Sequence, residues 1–356
     1  MLINLGDFAR SKQLGWCPKI PSARKGSLMQ TLLLLLAITV GGISEDTSQP
    51  TNQPVNYPPI PEKVTSFGAA VLDGHLYIYG GHTGRPHSYD KDAQGNTLRR
   101  LNLQNPKAWE ALVEGPGLQG LAMVACQGKL YRIGGFAAKN EKGGDQDLWS
   151  QADVACYDPK ANQWTDLSPL PEPRSSFDAA VLNNQIYAIG GWKLAGGAEE
   201  HWHTTAYSID VSTQNPRWQK LPTPPFQRRA LAVAAYDGKI YVIGGMQSEG
   251  GPTTRVDVFD PETQKWSVGP SLLGEPMDGF GPSAFATGDC LYVSTYSGKL
   301  QRLDQNGKQW ESVTKLERAR FFHRMLPLSE TRLISVGGAS MESGKFDEVD
   351  VIDVTR

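Results

Sequence analysis

Six segments of this chain repeat one pattern, and the repeat constrains the fold more than any other feature. An aliphatic-aromatic strand closes on a glycine pair at Leu76-Tyr77-Ile78-Tyr79-Gly80-Gly81, Leu130-Tyr131-Arg132-Ile133-Gly134-Gly135, Ile186-Tyr187-Ala188-Ile189-Gly190-Gly191, Ile240-Tyr241-Val242-Ile243-Gly244-Gly245 and Leu333-Ile334-Ser335-Val336-Gly337-Gly338. A sixth copy, Leu291-Tyr292-Val293-Ser294-Thr295-Tyr296, lacks both glycines. The second glycines at 81, 135, 191 and 245 are spaced by 54, 56 and 54 residues, and the gap of 93 that follows holds two shorter copies.

A period of about 50 belongs to radial β arrays rather than helical solenoids, and predicts a propeller with one four-stranded blade per copy. Strand one is a run of small apolar residues, such as Gly68-Ala69-Ala70-Val71-Leu72 or Ala232-Val233-Ala234-Ala235, suited to a crowded axis. Asp73-Gly74, Gln127-Gly128, Asn183-Asn184 and Asp237-Gly238 join it to strand two, in residue pairs that accept the positive φ of a two-residue hairpin. Strand three ends on Asn102, Asp158, Asp210, Asp260, Asp304 and Asp353, whose side-chain oxygens suit a bond to the next turn. Strand four opens with Trp109, Trp164, Trp218, Trp266 and Trp310, rings that fit the wedge between neighbouring blades.

With the glycine pair, the tyrosine before it and the spaced tryptophan, residues 52–356 resemble the Kelch-repeat family. The resemblance implies an all-β, six-bladed Kelch-type β-propeller. The departures are Thr295-Tyr296 and the long polar insertion before Leu98. The last copy stops at Arg356 after three strands, while Pro54 to Ile60 precede the first strand one; aligning Ile60-Pro61-Glu62 with Leu170-Pro171-Glu172 puts this segment in the strand-four position. The expected ring is therefore closed by an N-terminal strand completing the C-terminal blade, which removes the open edges.

Residues 1–44 read as an export signal or N-terminal extension: Arg24 and Lys25 precede the apolar run Leu32 to Val40, and small residues follow to Ser44. The run is shorter than the ~20 residues of a membrane-spanning helix. Residues 45–51 form a polar linker, and the chain is expected to be exported, periplasmic or extracellular, with an uncleaved N-terminal anchor as the alternative. Loss of residues 1–44 leaves 30 cations against 36 anions, net −6 from an initial −2, so no nucleic-acid partner is expected. The mature chain reads as a monomer with no stable membrane span. Cys126 and Cys156 fall on strands one and three of one blade, about 9–10 Å apart at ~4.8 Å per strand, beyond bridging reach.

Because strands one-two and three-four are joined tightly, the two-to-three and four-to-one loops share one rim, longest after Gly81, Gly135 and Gly191 and nearly absent after Tyr296. That lopsided rim is the candidate working surface. Arg174, Arg228 and Arg320 occupy matching four-to-one positions, where Val64, Leu118 and Gly279 stand in the other copies, and Arg229 adjoins Arg228. Resemblance to Kelch propellers that bind acidic peptides or sugars implies ligand contact; guanidiniums also brace loop carbonyls, and both readings stand. Arg85, His87, Trp192, His201 and His203 complete the candidate ligand-binding set, the rings suited to stacking on a sugar. Neither His82 with His87 nor Glu199-Glu200-His201-Trp202-His203 has a recognised metal-ligand spacing, and no metal, cofactor or catalytic residue is assigned. The main expectation is a binding or interaction module for a protein or carbohydrate ligand rather than an enzyme. The alternative, implied by likeness to sialic acid epimerase, is a sugar-directed enzyme using rim acids and bases; Glu200, His201 and Arg228 are the residues whose replacement tests it.

Overall fold

The computed structural model describes residues 56–355, all-β apart from one short 3-10 turn at Pro276–Gly279. The expected export segment, the linker and the start of the expected closing strand lie outside the described residues. Among the described residues, no helix is long and apolar enough to cross a membrane.

Six antiparallel sheets form the blades. Their first strands are Gly68–Leu72, Ala122–Cys126, Asp178–Leu182, Ala232–Tyr236, Ser283–Thr287 and Arg324–Ser329, and each blade proceeds outward in chain order. Blades one to five have four strands; in blade six the ladder holds three, ending on Val349–Asp353. Each short turn expected between strands one and two is present, with both central residues at positive φ, as at Asp73 (46°) and Gly74 (71°). Five of the six expected strand-three caps form, at Asn102, Asp158, Asp210, Asp260 and Asp304: the Asn102 carboxamide oxygen accepts from Gln104 and Asn105, and the Asp158 carboxylate from Lys160.

Apolar burial is divided into six wedges, one per blade seam. One wedge joins Leu76 and Leu101 of blade one to Ile334, Val336 and Val349 of blade six, and another joins Val154 of blade two to Phe177 and Ile186 of blade three. The strand-four tryptophans serve these seams. Trp218 and Trp310 donate their indole N–H to Ser168 O (3.0 Å) and Pro270 O (2.8 Å) of the preceding blade. The glycine pairs serve them too, because they let backbone approach backbone. The second glycine's N–H reaches the next blade's four-to-one loop at Gly81→Leu118 O (2.7 Å), Gly135→Arg174 O (2.9 Å) and Gly191→Arg228 O (2.7 Å), while a Cβ on Gly80 would lie 2.5 Å from Leu118 O. Blade five has lost this bond with its glycines; the Tyr296 N–H turns back to Asp278 O at 3.4 Å.

A closed circuit of six backbone hydrogen bonds surrounds the axis at the loop-rich end. Gly120 N donates to Ser66 O (2.7 Å), Ser176 to Gly120 (2.8 Å), Ala230 to Ser176 (2.7 Å), Gly281 to Ala230 (3.1 Å), Phe322 to Gly281 (3.0 Å) and Ser66 to Phe322 (3.2 Å). All six residues are left-handed, with φ between 52° and 62°. One residue from each blade takes part, so the circuit records both the number of blades and the closure of the ring.

Two residues further along each chain, Gly68, Ala122, Asp178, Ala232, Ser283 and Arg324 form the next layer. Four of the six are small, as expected of a crowded axis, and the other two, Asp178 and Arg324, form a charged pair that the repeat pattern did not announce. Arg324 of blade six reaches across to Asp178 of the opposite blade three (Nη1–Oδ1 2.7 Å), and also donates to Phe67 O (3.0 Å) and Leu121 O (3.2 Å). The other Asp178 oxygen accepts from the Val233 N–H of blade four at 3.0 Å. This ion pair bars the channel and makes the loop-rich face a cup with a floor.

Candidate functional site

The cup wall is uneven, as the loop lengths require. Between strands two and three run residues 80–96, 134–153 and 190–205 in blades one to three, 244–255 and 337–348 in blades four and six, and only 295–298 in blade five. The tall loops brace one another. Phe136–Ala138 pairs with Leu148–Ser150, Trp149 bridges to Ala195, and Asn140 ties into the first loop through Lys91 N and Tyr89 O.

Arg174, Arg228 and Arg320 are buried braces of their own blades. Arg174 donates to the Gly190 and Thr205 carbonyls, Arg228 to Gly244 O (2.7 Å) and Arg255 O (2.8 Å), and Arg320 to Gly337 O (2.9 Å) and Glu348 O (3.1 Å). Each also meets an acid: Arg174 meets Glu172 (3.4 Å), Arg228 meets Asp257 (2.5 Å), and Arg320 meets Asp350. Burial pulls Arg174 and Arg228 down to about 10, which leaves them protonated at neutral pH. Of the two roles open to these arginines, the geometry shows bracing. The acidic partners were legible: Val256-Asp257-Val258 and Val349-Asp350-Val351 occur in strand three of the blades that carry Arg228 and Arg320, and the pairing was missed.

Arg229 behaves differently because side chains alternate along a strand. Arg228–Arg229 pairs with Met246–Gln247, so Arg228 turns into the blade and Arg229 to its other side. Its guanidinium carbon lies 4.0 Å from the Trp192 ring centroid and 5.3 Å from that of Trp202, two indoles packed edge-on at 5.6 Å. Among the described residues it has no hydrogen bond or ion pair. Burial lowers its pKa, while Tyr89 and Glu200 act in the opposite direction. Tyr89 itself packs against His82 and Phe136.

The other predicted residues scatter. Arg85 and His87 are exposed on the first loop, where the His87 carbonyl accepts from Gln146 at 3.2 Å. His201 is exposed on the hairpin opposite Lys193, its ring 5.6 Å from that of His203. His203 is 2% exposed, bonded to Pro173 O (3.0 Å) and 3.6 Å from Glu172. The structure thus brings Trp192 and Arg229 together and holds Arg85 and His87 in a separate loop. Among the described residues no three potential metal ligands converge.

Burial pushes His203 down to about 4, with Arg174 adding to the shift. The unfolded chain, near 6.5, takes up that proton first, so this contribution is complete above pH 6.5 and is lost as pH falls toward 4. We expect the melting temperature to drop across that window, and His203→Gln to flatten the drop. An unchanged pH profile in the variant would contradict the assignment.

Cavities of about 360 and 530 Å³ open on the opposite rim, the first beside Asp289, Glu330 and Thr331, the second beside Asn183, Gly238 and Pro261. They lie among the short turns, away from the Arg229 cradle.

Kelch motif models match residues 117–171, 173–225 and 227–273. Beta-scruin of Limulus polyphemus is 28% identical over 56% of this chain and 21% of its own length. Kelch-like protein 35 of Mus musculus is 29% identical over 56% of this chain and 30% of its own, and Kelch-like protein 23 of Homo sapiens is 23% identical over 77% and 46%. The chain thus spans less than half the length of these curated relatives. A solved structure of YjhT superposes with a TM-score of 0.68 at 21% identity, covering 84% of this chain and 97% of that one, a likeness of fold. The repeated glycine-pair strands, the six blades around one closed circuit and these matches place the chain in the Kelch-repeat β-propeller family.

Proposed function

We propose that the loop-rich cup binds an acidic sugar and acts on it as an epimerase-type enzyme, interconverting forms at the anomeric carbon. The supporting observation is Arg229, an unpaired guanidinium held against the face of Trp192. Arginine's planar fork matches a carboxylate, and an indole face suits the apolar face of a pyranose. Glu200 supplies an acid-base group on the same wall: it takes the proton of the anomeric hydroxyl while water protonates the ring oxygen and the ring C–O bond breaks, and on closure from the other face it returns the proton to the carbonyl oxygen as the ring hydroxyl gives its own to water. The coarser property, a propeller face able to mediate interactions, does not depend on this chemistry.

N-acetylneuraminate is the probe. Calorimetric titration of the 52–356 chain is expected to show binding that Arg229→Met weakens by ten- to a hundredfold, about 1.4–2.7 kcal/mol. Equal affinity in the two proteins would refute the assignment. Binding without anomeric exchange would favour a module that only holds its ligand.

We also propose export, from the apolar run Leu32 to Val40, and closure of blade six by the N-terminal strand. Supporting the closure, Ile60 N donates to Asp347 O (2.7 Å) where Leu170 N meets Ala152 O (2.8 Å), and Trp109 Nε1 reaches Pro58 O (3.1 Å) where Trp218 reaches Ser168. Deleting Asn52 to Ile60 is expected to lower the melting temperature. A deletion variant that melts with its parent would remove the closing role.

A further inference from the structure

The two groups on which the proposed chemistry depends are carried by different blades. Arg229 lies on the Arg228–Arg229 strand of blade four, while Glu200 immediately precedes His201–Trp202, the return strand of the tall blade-three hairpin that leaves along Trp192–Lys193. Their separation therefore depends on how that hairpin is held.

The outgoing limb is fixed to blade two. Ser150 N donates to Leu194 O (3.0 Å), Leu194 N to Ser150 Oγ (2.9 Å) and Gly196 N to Leu148 O (2.9 Å). The return limb is tied to blade four instead. Gln227 Nε2 donates to Trp202 O at 3.1 Å, and the Gln227 carbonyl accepts from Ser248 N at 3.3 Å, which holds Gln227 to its own blade. Gln227 stands two residues before Arg229, and Trp202 two residues after Glu200. One hydrogen bond thus joins the segment that bears the cation to the segment that bears the acid.

We infer that Gln227 is a positioning residue for anomer exchange: its bond to the Trp202 carbonyl sets Glu200 at its working distance from a sugar whose carboxylate lies on Arg229. The inference rests on the acidic-sugar reading and adds the residue that couples the two blades in it. A hydrogen bond between neutral groups contributes little to net stability, whereas a displacement of about 1 Å in a reacting group can cost about a hundredfold in rate. Loss of this bond is therefore read in turnover rather than in melting. Arg229 keeps its own supports, the pairing with Met246 and the face of Trp192, so binding survives.

The test follows exchange of the N-acetylneuraminate anomers by NMR over a range of sugar concentrations, in the wild type, Gln227→Met and Gln227→Lys. Gln227→Met keeps the length of the side chain and removes its donor; it is expected to lower kcat about tenfold, with KM within about twofold of the wild type and the melting temperature moved by only about 2 °C. Gln227→Lys keeps an N–H donor for the Trp202 carbonyl and should retain most of kcat. Backbone amide exchange in Gln227→Met should rise at residues 200–203 and stay unchanged at Leu194 and Gly196. A wild-type kcat in Gln227→Met, a change in KM alone, equal losses in the two variants, or failure of Gln227→Met to fold would overturn the inference and leave the acidic-sugar reading standing. Wild-type protein that neither binds the sugar nor speeds its exchange would remove both.

Discussion

Replacing Arg228 with methionine is expected to destabilise the fold by about 3–5 kcal/mol in chemical denaturation, the cost of leaving one half of a buried ion pair. Arg228 and Asp257 both have fully buried side chains, joined at 2.5 Å, and the same guanidinium satisfies two carbonyls at the base of the 244–255 loop. Removing it takes the guanidinium donor from the Gly244 carbonyl and one charged partner from Asp257, while the Arg255 carbonyl keeps the Gly244 N–H (2.9 Å). Arg255 remains on Asp257 at 2.6 Å, but its own side chain is 39% exposed, so it offsets only part of the loss. The double variant Arg228→Met with Asp257→Leu should recover much of the stability, since apolar isosteres replace buried pairs at little net cost. A single variant within about 1 kcal/mol of the parent, or a double variant worse than the single, would contradict a bracing role.

Arg324→Met is the second large effect, expected at about 3 kcal/mol, with the loss shared by blades that are not neighbours in sequence. Arg324 holds carbonyls of blades one and two and the Asp178 carboxylate of blade three, and Asp178 holds blade four through Val233. Two side chains, Arg324 and Asp178, therefore link five of the six blades at the axis. Asp178→Asn keeps one acceptor oxygen and turns the other into an NH2 donor, so one of the Arg324 and Val233 bonds survives; it should cost less than Arg324→Met, which removes three bonds. If hydrogen exchange in Arg324→Met rises only in blade six, the cross-axis link carries no energy.

The blades were legible because each strand's chemistry repeats. Glycine pairs, Asp-ended strands and Asp73-Gly74-type turns depend on local backbone requirements, and these recur wherever the same geometry does. The axial circuit was hidden for the opposite reason. Its six residues are Ser66, Gly120, Ser176, Ala230, Gly281 and Phe322, sharing a left-handed φ and no side-chain type. The Asp178–Arg324 pair joins positions 146 residues apart, a coincidence that no local pattern announces. At the rim, the adjacent Arg228 and Arg229 looked equivalent in sequence; strand alternation makes one a brace and leaves the other without a hydrogen-bond or ion-pair partner among the described residues. The shortened fifth loop was legible as a gap in the rim, but the partial exposure of Phe280 beneath it was not.

Among the described residues the Arg229 guanidinium has no hydrogen-bond or ion-pair partner and packs on an indole, whereas the Nη groups of the three buried arginines are engaged by carbonyls and carboxylates of the fold. Chemistry at that position needs a proton carrier, and Glu200 is the acid that acts on Arg229 electrostatically.

The most direct measurement is the rate at which the α and β anomers of N-acetylneuraminate exchange, followed by NMR with catalytic amounts of the 52–356 chain. The account predicts exchange faster than in buffer, abolished by Arg229→Met through lost binding and by Glu200→Gln with binding retained. Exchange at the buffer rate with wild-type protein, or acceleration undiminished in both variants, would contradict it.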